Sequence, residues 1–180
     1  MQVTVREMRP DEWSVAQEVC VGAFDETGID VLLTTLRSSW GWDDSLAFVA
    51  VNDQQVVGLV LFTPCFVDAP DRVVPVLVLS PLGVRRDVQG HGVGSQLVRG
   101  ALAELERTRT EPAVFLEGSP GYYPRFGFRP ASTMGFTAPS TRIPDAACMV
   151  YPLPSYDSTV RGALVYADAF WRADAVGLRE

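Results

Sequence analysis

The sequence contains no lysine, a single asparagine, Asn52, and a single histidine, His91. Without lysine it holds no Walker-type phosphate loop, GxxxxGK[ST]. One histidine and no HExxH exclude an imidazole-rich zinc centre, and no metal is expected. Cysteine is scarce too. Cys20, Cys65 and Cys148 are odd in number, far apart and in apolar company, with no CxxC pair. That pattern excludes a disulfide framework and predicts buried free thiols. Long apolar runs are missing: "VVGLVLF" at 56–62 is far too short to span a bilayer. The opening "MQVTVREMRPDEW" has no basic segment followed by an apolar one, so it does not read as a signal peptide, and a cytoplasmic protein is expected. All fifteen basic residues are arginine and the net charge is −7. An excess of acid argues against nucleic acid or an anionic membrane as partner, since both need clustered cations. Arginine in place of lysine reflects a GC-rich coding bias better than it reflects function.

What is present is an ordinary globular composition, 47% apolar and 21% charged, and residues 1–180 are expected to form a single domain. "VTVREM" alternates as a strand, with Val3, Val5 and Met8 as inward candidates. "RPDEW" starts a helix, with proline near the first position and acids in the first turn. A second short helix is expected over 31–37. "SLAFVAVNDQQVVGLVLFTPCFV" reads as an antiparallel hairpin turning at Asp53–Gln55. "RVVPVLVLSPLGV" (72–84) is a longer strand in which Pro75 and Pro81 imply an edge, a bulge or a break in pairing. Val93, Leu97, Val98, Ala101, Leu102 and Leu105 trace one helix face running to about Arg107. "AVFLE" (113–117) is a short buried strand, and weaker strand and helix signals follow. This order predicts an α+β fold with a mixed sheet, not a doubly wound one.

Three glycines, Gly90, Gly92 and Gly94, fall between the long strand and the long helix. A strand, a glycine-rich turn and a helix start make an anion cradle: the first helical N–H groups lack partners, and glycine lets a phosphate approach the backbone. A pyrophosphate is the natural guest. The dinucleotide-binding pattern GxGxxG fails at Ser95 and normally belongs to a first βα unit, so dinucleotide binding is the weaker alternative. A plain glycine-rich turn stays open on this pattern alone.

The pattern Q/R-x-x-G-x-G/A, filled in register by Gln89, Gly92 and Gly94, resembles the loop of the GNAT superfamily of acyl-CoA N-acyltransferases. "RPDEW…AF" resembles that family's first helix, "LAFVAVNDQQVVGLVLFTP" its hairpin, and "LSPLGVRRDVQGHGVGSQLV" its central strand and loop. "LEGSPGYYPRFGF" and "GALVYADAF" resemble two later segments of a bacterial branch. The similarity runs in order over nearly the whole chain. It implies an α+β fold with a mixed, mostly antiparallel central sheet flanked by helices, splayed at the strand ending near Val84, with Pro81 at the break.

By that resemblance acetyl-CoA is the cosubstrate. The backbone of Leu82, Gly83 and Val84 would bond the acetyl and pantetheine groups. Gln89, Gly90, His91, Gly92, Val93, Gly94 and Ser95 would form the pyrophosphate loop. Tyr123, in the family's Y-x-x-x-G-F register, is the expected general acid, with packing or substrate positioning as its other reading; Tyr122 is expected to pack. A phenol near its reference pKa of about 10 would need no large shift. Glu117, at the strand end, is the candidate base, with a solvated surface carboxylate as the alternative. Arg85 and Arg86 are read either as phosphate contacts or as a solvated pair. Asp25, Glu26 and Asp30, with Trp40 and Trp42 as an apolar wall, are candidates for the amine pocket, with solvated acids and core tryptophans as the favoured reading. The expected partner is a small-molecule or peptide amine, and a homodimer stays open. The implied activity is N-acetyl transfer by direct attack in a ternary complex. A non-catalytic acyl-CoA sensor is the alternative.

Overall fold

A computed structural model describes residues 1–24 and 28–177. The strands are β1 (Thr4–Glu7), β2 (Ala47–Asn52), β3 (Gln55–Asp68), β4 (Val73–Val84), β5 (Ala113–Glu117), β6 (Arg129–Pro130), β7 (Phe136–Thr137), β8 (Cys148–Pro152) and β9 (Gly162–Val165). The helices are α1 (Trp13–Gly22), α2 (Gly28–Arg37), α3 (Val93–Thr108) and α4 (Asp168–Arg172). Among the described residues the strands form one sheet in the order β1-β2-β3-β4-β5-β8-β6, with β9 beside the far half of β3 and β7 outside it. Among the described residues only β4–β5 and β7–β9 pair in parallel. The expected mixed, mostly antiparallel sheet is observed.

Helices cover both faces. The expected stripe of α3, from Val93 to Leu105, is buried against one face with Phe48, Val60 and Leu77. On the other face α1, α2 and α4 place Ala16, Cys20, Leu33, Leu36 and Phe170 against Leu59, Val76 and Phe115. The β2–β3 hairpin turns on two residues, Asp53 and Gln54, both with positive φ (46° and 65°), the geometry that matches strand twist.

The two prolines of β4 mark different departures. Pro75 lies opposite Phe66 on β3, ahead of the short stretch where β5 pairs on the other side. Pro81 lies in a bulge. Leu79 pairs with Phe62 and Leu82 with Val60, three steps along β4 against two along β3. β4 and β5 part just ahead of that bulge. Their ladder is confined to Leu77–Val114 and Val78–Phe115, after which β4 stays with β3 while β5 follows β8 to Glu117–Cys148. The splay falls on the segment that ends at Val84.

Candidate active site

The glycine loop lies at the mouth of this splay. Gly90 and Gly92 have φ of 78° and 80°, a left-handed conformation that side-chain-bearing residues adopt at a cost, and Gly92 is the residue from which α3 starts. The Gln89 side chain donates to the Val84 carbonyl at 2.8 Å, tying the loop to the end of β4. Val84, Gln89, Gly90, Gly92, Val93, Gly94 and Ser95 share a depression of about 310 Å³ with Tyr122 and Arg125. A methyl group at Gly94 would stand 2.9 Å from the Tyr122 hydroxyl, so a side chain there would displace the end of that tyrosine. His91 is exposed; its Nδ1 donates to the Gln89 carbonyl at 2.9 Å, and it does not line the depression.

Arg85 and Arg86, read either as phosphate contacts or as a solvated pair, are engaged elsewhere. Arg86 donates to the carbonyls of Gly22 (2.5 Å) and Phe24 (3.0 Å), closing the C-terminal end of α1, and Arg85 pairs with Asp87 at 2.7 Å. The cation among the described lining residues is Arg125, held over the Tyr122 ring at 4.9 Å and bonded to the Gly121 carbonyl. Sequence reasoning passed over it. The signal was its place in "YYPRFGF", one turn from the two tyrosines.

Between the parted strands lies a second pocket, about 380 Å³, lined by Ser80, Leu82, Glu117, Gly118, Tyr122 and Tyr123 among others. Leu82 and Val84 also pack on the α3 side of the core, and Gly83 presses on Cys20 of α1, where a Cβ would come within 2.7 Å of backbone. Tyr123 opens a single 3-10 turn, Tyr123–Phe126. Its ring meets Tyr122 edge-on at 5.0 Å and Phe128 at 5.8 Å, and lies against Gly118. Burial, with a smaller contribution from Tyr122, pushes its hydroxyl well above the ordinary phenol value of 10.0. The expected unshifted phenol is therefore corrected: the desolvation that comes with seating the ring in the aromatic cluster disfavours the phenolate. Tyr122 does more than pack, since it lines both the loop depression and this pocket.

Glu117 is half-buried at the end of β5, and burial raises its carboxyl above 4.5. The Gly177 N–H donates to its Oε2 at 3.1 Å, and Arg142 lies close enough to oppose the shift in part. Glu117, Ser80 and Gly118 also line a third pocket, about 520 Å³, on the α2–α4 side. That pocket is walled by Ile29, Leu32, Val78, Pro144, Ala147 and Phe170.

The acids and tryptophans considered as its lining do not line it. Trp42 packs edge-on against Trp13 at 5.0 Å beneath the Arg37 guanidinium, and Trp40 is exposed, stacked on Phe66. Packing on neighbours outside the pocket decides both. Asp30 is exposed on α2 and accepts from Gln17 at 2.7 Å; Asp25 and Glu26 lie outside the described residues. The wall is built instead by Ile29 and Leu32 of α2, which the helical spacing of that segment carries inward.

All three cysteines are free and buried. Burial pushes the thiols up to about 12 for Cys20 and Cys65 and about 11 for Cys148, so none is a ready thiolate nucleophile. Among the described residues no group of three or more His, Cys, Asp or Glu side chains is placed to hold a metal ion, and no helix is long and apolar enough to cross a membrane.

A loop of N–H donors, a split sheet and a tyrosine beside the split invite comparison with known proteins. Residues 4–131 match the acetyltransferase (GNAT) domain family. The chain belongs to the GNAT family. It is 33% identical over 156 residues to the uncharacterized N-acetyltransferase YjhQ of Escherichia coli K12, covering 84% of this chain and 85% of that protein. It superposes on the E. coli GNAT family N-acetyltransferase YhbS, solved in complex with CoA, with a TM-score of 0.84 at 26% identity, over 99% of this chain and 97% of the other. A GNAT family acetyltransferase from Brucella melitensis, solved with acetyl-CoA, shares the fold with a TM-score of 0.71 at 24% identity, over 94% and 98% of the two chains. The protein is thus an acyltransferase of the GNAT type.

Proposed function

We propose that the chain transfers an acetyl group from acetyl-CoA to a primary amine by direct attack in a ternary complex. The observation that carries this reading is the shared wall between two pockets. Glu117, Ser80 and Gly118 line both the splay beside Tyr123 and the chamber on the α2–α4 side. Cosubstrate and acceptor would approach the same few atoms from opposite sides.

The residues present fit acetyl-CoA. The N–H groups of Gly90 to Ser95, at the start of α3, would hold the pyrophosphate, with Arg125 adding charge. The backbone of Leu82 to Val84 would bond the pantetheine arm along the edge of β4 that β5 leaves open. Acetyl-CoA supplies a thioester carbonyl and a thiolate leaving group. Glu117 takes the proton from the amine as its nitrogen bonds to the acetyl carbon, and its raised pKa makes it a stronger base than an exposed carboxylate. As the carbon–sulfur bond breaks, Tyr123 gives its proton to the departing sulfur. Glu117 then returns a proton through solvent and Tyr123 recovers one. Burial disfavours the phenolate, so Tyr123 stands protonated before the transfer, and the same shift makes it a weaker acid than an exposed phenol. The buried thiols, unsuited to an acyl-cysteine route, support direct attack.

The test is to mix protein, acetyl-CoA and a panel of amines and follow free thiol. Amine-dependent release with intersecting initial-rate plots is expected. Stabilisation by acetyl-CoA with no amine turned over would replace this reading with an acyl-CoA sensor. Stabilisation by NAD(H) and none by CoA would remove its basis.

A further inference from the structure

The chamber on the α2–α4 side carries a feature that acetyl transfer does not use. Tyr166 follows β9 at the start of the closing turn into α4, within "GALVYADAF", and lines this chamber together with Phe170 of the same segment. It is 5% exposed, and its hydroxyl has no hydrogen-bond partner among the described residues. A buried polar atom left unpaired is costly, and such an atom in a ligand chamber is satisfied when the ligand arrives. Its electrostatic neighbours are Cys148, Glu117 and Cys65, which places the ring toward the Glu117 end of the chamber.

The rest of the lining limits what can enter. Ile29, Leu32, Val78, Pro144 and Phe170 offer no partner for a polar body. Glu117 and Asp174 are acidic, and no Arg or His is among the described lining residues. A carboxylate on the acceptor would meet Glu117 with no cation among the described lining residues; Arg142, which acts on Glu117 from outside the wall, is bonded to the Val176 carbonyl. A polycation would have to desolvate its further charges against apolar walls.

We propose that this chamber selects primary amines on an apolar body without a carboxylate, with the Tyr166 hydroxyl accepting one amine N–H while Glu117 accepts another. This rests on the transferase reading above and names its substrate class. A primary amine has the two N–H groups needed for both acceptors; a secondary amine at the moment of attack has one. Tyr166 is a specificity contact, since proton transfer belongs to Glu117 and Tyr123.

Three matched probes test it: 2-phenylethylamine, L-phenylalanine, which adds a carboxylate to the same body, and N-methyl-2-phenylethylamine, which removes one N–H. Spermidine serves as the polycation. Thiol release gives kcat/KM, and calorimetric titration of each amine into the protein without cosubstrate gives affinity independently of turnover. The expected result is that 2-phenylethylamine exceeds L-phenylalanine and spermidine at least tenfold in both measurements, and exceeds the N-methyl amine at least tenfold in kcat/KM, since the protonated N-methyl amine still carries two N–H groups when it binds. Tyr166→Phe keeps the ring and loses only the hydroxyl; it should raise the KM for 2-phenylethylamine about tenfold while leaving acetyl-CoA affinity unchanged. Preference for phenylalanine, the N-methyl amine or spermidine, or an unchanged KM in Tyr166→Phe, overturns the selection and leaves the transferase reading intact. If acetyl-CoA binds and no amine releases thiol, both readings fall together.

Discussion

Substituting Gly118 by alanine tests the role of Tyr123 without touching the tyrosine. A Cβ at residue 118 would overlap Tyr123 Cε2 and stand 2.9 Å from Cδ2. Carbon atoms rest at about 3.5–4.0 Å, so the ring must retreat by about 1 Å. It has little room to do so, with Tyr122 at 5.0 Å and Phe128 at 5.8 Å between ring centres. Overpacking of this kind costs about 1–3 kcal/mol, which for a chain of this size lowers Tm by about 2–12 °C. A displacement of about 1 Å in a group that must meet the departing sulfur costs roughly 10²-fold in kcat, or about 2.7 kcal/mol of barrier. Tyr123→Phe should lose about as much, at the low end for a general acid. Gly118 also lines both pockets, so simple obstruction by the methyl is the competing explanation. The double variant separates the two effects. If the ring's position is what matters, Gly118→Ala in the Tyr123→Phe background costs no more than about 3-fold further, because the group it would displace is gone. Steady-state kinetics on the four proteins, with CoA affinity by calorimetry, gives the answer. Full activity in Gly118→Ala, or losses that multiply to about 10⁴-fold in the double variant, refutes the role of Tyr123 as acid.

Glu117→Gln should lower kcat by about 10²-fold or more and at the same time stabilise the fold at neutral pH. The folded state holds the Glu117 proton to higher pH than the unfolded chain, whose ordinary value is 4.5. Native stability therefore falls as pH rises through that window, and the glutamine, which cannot ionise, escapes the loss. Thermal melts at pH 5 and pH 8 should show the variant's advantage growing with pH; a disadvantage at pH 8 would contradict the burial argument. Arg125→Ala should raise the Kd for CoA about 3- to 10-fold at low salt and less at high salt, as calorimetry at two ionic strengths would read; an unchanged Kd removes Arg125 from the phosphate site. Glu12 is held down to about 2 by its hydrogen bonds from Arg6 at 2.5 and 2.8 Å, so its contribution is present above pH 4.5 and lost as pH falls toward 2. Urea titrations of Glu12→Gln should show a loss of about 1 kcal/mol at pH 7 that vanishes near pH 2.

How far the sequence led depended on which forces fix each feature. Periodicity marked the face of α3 residue by residue, because burial against the sheet is a repeating demand on a single helix. Pro81 marked the splay, because a residue without an N–H cannot keep a regular ladder. The loop and Tyr123 were legible as motifs with fixed spacing. The acceptor chamber was not. Its walls come from α2, the segment ahead of β8, and α4, far apart in the chain, so nothing local distinguished Ile29 and Phe170 as lining residues from ordinary core. Trp40 and Trp42 could not be placed for the same reason: aromatic character says nothing of which neighbour a ring will meet, and Trp42 met Trp13 and Arg37, as the core reading has it. The upward shift of Tyr123 was equally out of reach, since desolvation depends on the Phe126–Phe128 cluster closing around it.

The central claim is that CoA lies across the Gly90–Ser95 loop and along the open edge of β4. Amide hydrogen exchange with and without CoA tests it most directly. The account predicts protection concentrated in residues 82–95 and 118–125, with β1 and β2 unchanged. Binding that leaves the loop unprotected, or protects a different part of the chain, would contradict it.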